Sequence, residues 1–204
     1  MKKIILSLGA ALLLAAGAQA QVSYGLKAGV NLGKYSNFGD DQKNNTSFYV
    51  TGFADLPVAP QFSIQPGVSL QGKGQKFEFN DLSSSVNVMS IEIPVNAVYY
   101  IPAGTGNIFL GAGPYVGFNV SGKRKKNRLV GGDGIVDTNE DINFGNGDRE
   151  TKVVEAGANF MAGYKFGNGL LINAGYGLGL TNLSNFSDNK ISNRVLSFGV
   201  GFQF

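Results

Sequence analysis

The 204-residue sequence contains no cysteine and no histidine. Without cysteine the chain has no disulfides, no thiol chemistry and no lipid-anchored N-terminus. Without histidine it also lacks Ser–His and Cys–His nucleophile pairs, the usual proton shuttle and the commonest zinc ligands. Catalysis by carboxylates or lysines alone stays open, but no motif for it is present. The sequence therefore predicts a protein that is not an enzyme and has no obligatory cofactor.

Long apolar runs are missing after residue 20. The one such run, Ile4 to Ala16, follows Lys2 and Lys3 and precedes a small-residue site that ends at Ala20. This order is typical of a cleaved secretory signal peptide, and a retained anchor is the alternative. We expect a signal peptide over 1–20, export through the general secretory pathway and a mature domain over 21–204. A transmembrane helix is not expected in that domain.

The charge balance gives no indication of a nucleic acid partner. Of the 17 basic residues, Lys2 and Lys3 belong to the predicted signal peptide, which leaves 15 against 14 acidic ones. A net charge of +1 on the mature chain does not predict nucleic acid binding.

The last ten residues alternate strictly between apolar and small or polar types. The apolar set is Leu196, Phe198, Val200, Phe202 and Phe204. This pattern is typical of a strand whose large residues face lipid and whose small or polar residues face a narrow polar lumen. A soluble barrel instead has its large residues inside. We expect this strand to close a barrel by pairing with Val22 to Leu32, because an unpaired edge is not tolerated in lipid. We also expect the barrel-assembly machinery to bind the Phe204 strand.

Alternation along the rest of the chain predicts eight strands in all, at about 22–32, 48–56, 62–72, 89–101, 108–120, 153–166, 170–180 and the C-terminal strand. Short connections alternate with long ones at about 33–47, 73–88, 121–152 and 181–194. The predicted fold is an all-β, eight-stranded antiparallel up-and-down transmembrane barrel. We expect both termini in the periplasm and the long loops outside the cell. Because proline cannot donate to a strand ladder, we expect bulges or bends at Pro66, Pro94 and Pro114.

Five ionisable residues are predicted to face the lumen: Lys27, Asp55, Glu92, Glu155 and Lys165. Charges buried in a barrel need partners. One interpretation is a hydrogen-bonded plug that fills the barrel, and the other is a narrow path for ions or protons. The plug is favoured because side chains just fill an eight-stranded interior.

The longest predicted loop begins with a cluster of basic residues: Lys123, Arg124, Lys125, Lys126 and Arg128. Where a strand leaves the membrane, such a cluster is suited to the phosphates of lipopolysaccharide. A solvated charged loop is an equally good interpretation.

The same loop resembles the second half of a calcium-binding loop. Asp133, Asp137 and Glu140 match three ligand positions, but Leu129 and Gly131 occupy the first two and offer no carboxylate. A calcium site is therefore a secondary hypothesis, and an acidic turn without metal is the favoured alternative.

Several short motifs resemble the PorT-like outer-membrane β-barrel proteins. They are Gly25 to Leu32 (GLKAGVNL), Ile91 to Val95 (IEIPV), Gly111 to Tyr115 (GAGPY) and the Phe-terminated last strand. The resemblance implies an eight-stranded barrel of the size of OmpA and OmpX. It carries over no catalytic residue, and one member of that family acts in protein secretion.

Together these features predict a non-enzymatic outer-membrane barrel whose surface loops contact lipopolysaccharide, other cells or a secretion complex. A narrow pore or transporter for small solutes or ions is the alternative. A soluble periplasmic barrel of the lipocalin type is a third, disfavoured interpretation. In such a barrel the small and polar face would form the outer surface, and its side chains are too small for that.

Overall fold

The computed structural model of the protein describes residues 22–36, 42–79, 82–130, 134–145, 147, 151–183 and 191–204. Within these ranges the chain forms ten strands: β1 (Ser23–Tyr35), β2 (Gln42–Lys43), β3 (Asn45–Ala59), β4 (Phe62–Phe79), β5 (Leu82–Ala103), β6 (Gly106–Val130), β7 (Gly134–Asp141), β8 (Val154–Lys165), β9 (Leu170–Gly179) and β10 (Asn193–Gln203). None of the described residues belongs to a helix long and apolar enough to cross a membrane. The predicted signal peptide, 1–20, lies outside the described residues.

Eight of these strands form a closed antiparallel ring in the order β1, β3, β4, β5, β6, β8, β9, β10. The two-residue β2 pairs with β4, and β7 pairs with β6, outside the ring. Closure leaves no unpaired edge around the barrel, which a sheet in lipid requires. The predicted eight-stranded antiparallel barrel is confirmed.

The first and last strands close the ring. β1 pairs with β10 in one unbroken register from Gly25–Gln203 to Tyr35–Asn193, as the C-terminal pattern predicted. Beyond the ladder, Tyr24 and Phe204 exchange backbone hydrogen bonds of 3.1 and 2.9 Å. We call the end of the barrel that holds these termini the turn end, because the connections there span only residues 60–61, 104–105 and 166–169.

The two faces of the wall differ sharply in polarity. Large apolar side chains such as Leu26, Val68 and Val200 are more than half exposed on the outer face. Polar residues such as Asn31, Ser69 and Ser90 are fully buried on the inner face. All five apolar residues predicted on the C-terminal strand lie on the outer face. This inversion is the one expected when lipid is the outer solvent.

Large side chains also enter the lumen, and four of them lie over a glycine of a neighbouring strand. Phe53 pairs with Gly25, Phe109 with Gly163, Tyr115 with Gly157 and Leu171 with Gly201. A Cβ at any of these glycines would overlap the large side chain beside it. The glycines therefore make the room that a narrow eight-stranded lumen otherwise lacks.

This packing explains why the predicted strand 48–56 alternates poorly. Tyr49 and Phe53 point inward while Phe48 and Val50 point outward, so both faces of β3 carry large residues. Tyr49 lies against Gly199 of β10, two strands away.

The connections at the opposite end, the hairpin end, contain more strand than predicted. β4 and β5 continue through most of segment 73–88 and leave only residues 80–81 between them. β6 extends over 25 residues to Val130 and pairs with β7, so 121–152 is largely a hairpin. Pairing between the extended strands satisfies their backbone groups beyond the lipid-facing belt.

The prolines do not produce the predicted bulges. The ladders beside Pro66, Pro94 and Pro114 keep the same register on both sides of each proline. Register shifts lie instead at Pro57–Ala59, between β3 and β4, and at Met89–Ser90, between β5 and β6. A proline removes one donor from a ladder without adding a residue, so the register is not forced to slip.

Replacing Gly199 tests the packing of lumen side chains over glycine. A Cβ there would collide with the Tyr49 hydroxyl and the Ala28 carbonyl, whereas a Cβ at Gly52 finds its nearest atom at 3.6 Å. We expect Gly199→Ala to destabilise the barrel by about 1–3 kcal/mol through overpacking, and Gly52→Ala to leave stability nearly unchanged. Urea unfolding of the detergent-folded protein, followed by heat-modifiable gel mobility, measures both. Equal stabilities of the two variants would contradict the packing argument.

Candidate functional site in the barrel lumen

A buried ionic cluster occupies the lumen toward the hairpin end. Lys73 of β4 contacts Glu92 of β5 and lies 3.1 Å from Glu155 Oε2 of β8. The Lys73 and Glu92 side chains are each 4% exposed, and that of Glu155 is fully buried. Three strands thus bring one cation and two carboxylates to one point inside the barrel.

Neutral side chains complete the shell around Glu155. The Tyr115 hydroxyl donates to Oε1 at 2.6 Å, and Asn193 Nδ2 donates to Oε2 at 2.7 Å. Lys73 Nζ also lies 4.8 Å from the centre of the Tyr115 ring. Charge-assisted hydrogen bonds from several strands offset the cost of burying this carboxylate.

A second cluster surrounds Asp55 near the turn end. Gln65 Nε2 donates to Oδ1 at 3.1 Å, while the Tyr100 hydroxyl and Gln203 Nε2 donate to Oδ2 at 3.2 and 2.9 Å. Gln203 Nε2 also donates to the Ser23 hydroxyl at 2.6 Å. These bonds join the closing strand β10 to β1 and β3 from inside the barrel.

The amino groups of two lysines lie near aromatic rings in the lumen and not near a carboxylate. Lys27 Nζ lies 4.6 Å from the Phe53 ring centre and 3.6 Å from the Met161 sulfur. Lys165 Nζ lies 4.6 Å from the Tyr100 ring centre. Among the described residues neither lysine has a carboxylate oxygen within 4.0 Å, so rings and sulfur are the contacts that accommodate these cations.

A cavity of about 80 Å³, lined by polar and apolar side chains, lies beside the Lys73 cluster. Its lining includes Lys27, Asn31, Lys73, Asn96 and Asn173. The buried Oδ1 atoms of Asn31 and Asn96 have no hydrogen-bond partner among the described residues. A space of this size and polarity suits a few water molecules.

The structure places the five predicted lumen residues on the inner face. Lys27, Asp55, Glu92 and Glu155 are buried there, and Lys165 is half-buried near the turn end. Glu92 and Glu155 meet through Lys73, which sequence reasoning missed because it assigned Lys73 to a loop. The polar alternation of Ser69, Gln71, Lys73 and Gln75 past the predicted end of that strand was the available signal.

The predicted basic cluster lies on the β6–β7 hairpin and not in a loop. The side chains of Lys123, Arg124, Lys125 and Lys126 are exposed on β6. Arg128 belongs to β6 at a position whose side chain is outside the description.

Two of the three residues predicted to bind calcium lie on a paired strand. Asp133 lies outside the described residues, and Asp137 and Glu140 belong to β7. All eight residues of β7 pair with β6, so its backbone is extended and does not wrap around a central ion as a calcium loop does. Glu140 instead accepts a 3.5 Å contact from Lys126. Within the described ranges, no group of three acidic, histidine or cysteine residues comes together to hold a metal ion.

The sequence matches the model of the family described as outer membrane protein beta-barrel domain over residues 17–185. This match covers most of the chain, so the chain belongs to that family and is an integral protein of the outer membrane. A comparison with curated proteins finds no match. The narrower resemblance to PorT-like proteins stays a prediction.

Solved structures of small outer-membrane barrels are similar to this chain. Ail of Yersinia pestis is 14% identical, with 91% of this chain and 99% of that chain covered and a TM-score of 0.44. Neisserial surface protein A is 14% identical, with coverages of 90% and 99% and a TM-score of 0.48. OprG of Pseudomonas aeruginosa is 11% identical, with coverages of 91% and 97% and a TM-score of 0.44. At these identities the similarity concerns the fold and carries no function.

Substituting Lys73 tests the buried ionic cluster. Lys73→Met leaves Glu92 and Glu155 buried without their cation, which we expect to cost about 3–5 kcal/mol. Adding Glu92→Gln to that variant removes one uncompensated charge and should restore part of the loss. Lys126→Met removes an exposed ion pair and should cost less than about 1 kcal/mol. Unfolding in urea measures all three, and equal losses for Lys73→Met and Lys126→Met would contradict the cluster's role.

Proposed function

We propose that the protein is a non-enzymatic outer-membrane anchor with a plugged lumen, which presents the β4–β5 and β6–β7 hairpins at the cell surface. The observation that carries the plug is the buried network in which Lys73 joins Glu92 and Glu155 across the lumen. Below it, the Asp55 cluster and the packed side chains of Phe53, Val98, Phe109 and Leu171 occupy the turn end. The interior of an eight-stranded barrel is just wide enough for side chains to fill it.

The proposed orientation places the termini and short turns in the periplasm and the hairpins outside the cell. Outer-membrane barrels have short periplasmic turns and longer extracellular connections. The described turns contain two to four residues, whereas β6 continues beyond the lipid-facing belt into an exposed hairpin. Loops held by a rigid scaffold are common places for binding functions.

A narrow pore is the second candidate function. The cavity beside the Lys73 cluster and the buried amide oxygens of Asn31 and Asn96, which have no partner among the described residues, favour a lumen that holds water. Water can enter such a space without a continuous path, so conductance separates the two functions.

Conductance across planar bilayers tests the plug. We expect the native barrel to show no stable single-channel openings, because the Lys73 cluster and Tyr115 cross the lumen. The double variant Lys73→Ala and Tyr115→Ala, checked for folding by its heat-modifiable mobility, should raise conductance and so show that the assay detects an opened lumen. Stable openings by the native protein would overturn the plug and favour the pore.

Single-cysteine labelling tests the orientation, and the absence of native cysteine makes each probe unique. Asn139→Cys places a thiol at an exposed position of β7, and Thr105→Cys places one in an exposed turn at the turn end. We expect a membrane-impermeant maleimide to label Asn139→Cys on intact cells and Thr105→Cys only after the outer membrane is permeabilised. The reverse pattern would show that the hairpins face the periplasm.

A further inference from the structure

Several oxygen-bearing side chains meet inside the barrel at its hairpin end. Glu92 of β5 and Glu155 of β8 both pair with Gly117 of β6, so their side chains lie on one face with no side chain between them. A Cβ at Gly117 would lie 3.0 Å from Ser90 Oγ and 3.2 Å from Glu92 Cγ. Asn119 pairs directly with Ser90. Three neighbouring strands therefore direct these buried groups to one place.

The neutral members of this group have oxygens without a partner. Ser90 Oγ, Asn119 Oδ1 and Asn193 Oδ1 are buried and have no hydrogen-bond partner among the described residues. The amide nitrogens are already used, because Asn119 Nδ2 donates to the Lys152 carbonyl at 3.0 Å and Asn193 Nδ2 donates to Glu155 Oε2 at 2.7 Å. The unmet atoms of both amides are thus acceptors, and an unmet buried acceptor is unfavourable.

The same group has more negative than positive charge. Among the described residues, Lys73 is the one cation with a nitrogen within 4.0 Å of Glu92 or Glu155, so two carboxylates share one ammonium. The guanidinium of Arg194, next to Asn193 on β10, donates to two backbone carbonyls and a serine hydroxyl instead. Unmet oxygens and unbalanced negative charge both favour a cation at this place.

The types of oxygen present indicate which cation fits. Carboxylate, hydroxyl and amide oxygens are ligands of hard cations. Calcium takes about six to eight such oxygens in a flexible arrangement, whereas magnesium requires a nearly ideal octahedron and keeps much of its water. Two glutamates with three neutral oxygens suit calcium better, because the group is buried and irregular.

The ammonium of Lys73 lies where such a cation would lie. Its nitrogen contacts Glu92 and is 3.1 Å from Glu155 Oε2, between the two carboxylates. The Lys73 side chain also lines the cavity of about 80 Å³. A lysine ammonium sits on a flexible four-carbon stem, so it has a second place to go.

We propose that Glu92, Glu155 and the neutral oxygens of Ser90, Asn119 and Asn193 form a site for a divalent cation of the calcium class, which Lys73 occupies as a tethered competitor. A free ion enters when the Lys73 side chain turns into the cavity. The two carboxylates then balance the two charges of the ion. This site is additional to the proposed surface role and does not depend on the orientation of the barrel.

The variant K73M tests the site because it keeps an apolar stem and removes the competing ammonium. Urea unfolding of the purified, detergent-folded barrel is measured over a series of free calcium concentrations, with sodium chloride holding the ionic strength constant. We expect the unfolding constant of K73M to fall about tenfold for each tenfold rise in calcium above the dissociation constant, as for one bound ion. The native protein should change less than about threefold over the same range. K126M, which lacks an exposed lysine, should respond as the native protein does.

Two further variants separate binding by these oxygens from simple neutralisation of charge. K73M/E92Q lacks one ligand carboxylate and should lose the calcium response, although it is more stable than K73M without calcium. K73M/S90A keeps both carboxylates and should bind calcium roughly tenfold more weakly, as when a group that supports a metal is removed. S90A alone should leave the native stability nearly unchanged, because Ser90 Oγ has no partner to lose.

Equal calcium responses of K73M and the native protein would overturn the site in favour of a general ion effect. No calcium response in K73M, or failure of K73M to fold with calcium present, would overturn it as well. An undiminished response in K73M/S90A would show that the neutral oxygens are not ligands and would also overturn it. Conductance and labelling are measured separately, so failure of this site is distinguishable from failure of the proposed function.

Discussion

Backbone hydrogen bonding in a medium without water is the constraint on which the rest of this structure depends. Every N–H and C=O group within the hydrocarbon layer needs a partner in the protein, and a sheet meets this need only when it closes. The β1–β10 ladder supplies that closure over eleven residue pairs. Inside the barrel, Gln203 reaches Asp55 and Ser23 and so adds side-chain bonds to the same seam.

Closure with eight strands makes the lumen narrow, and the narrowness dictates which residues fill it. Glycines on one strand face Phe53, Phe109, Tyr115 and Leu171 on the next, which keeps the wall close to its contents. The remaining space holds buried polar and charged groups, and burying such groups is costly unless they have partners. The Lys73 and Asp55 clusters therefore connect strands that are distant along the chain: β4 with β5 and β8 in one case, and β3 with β4, β5 and β10 in the other.

At the hairpin end, two motifs that look separate in the sequence lie side by side. The basic stretch of β6 and the acidic stretch of β7 form one antiparallel hairpin, in which Arg124 pairs with Glu140 and Lys123 with Asp141. Lys126 and Glu140 form an ion pair across this hairpin at 3.5 Å. The register shift at Met89–Ser90 leaves Val120 as an extra residue in β6, and this places Lys123 and Lys125 on the outer face.

The period-two pattern determined the barrel, its eight strands, the outward set of Leu196 to Phe204 and the pairing of the last strand with the first. Local alternation encodes these features because lipid and lumen select opposite residue types. The pattern also placed Glu92 and Glu155 in the lumen, but not Lys73, which lies beyond the segment that lipid constrains. The inward orientation of Tyr49 and Phe53 could not be predicted from the sequence either, because the glycines that accommodate these side chains belong to other strands. Only the tertiary structure decided the ion-pair partners, the registers beside the prolines and the face on which each basic residue lies. Each of these depends on how residues distant along the chain are paired across strands, and a single strand's sequence does not contain that information.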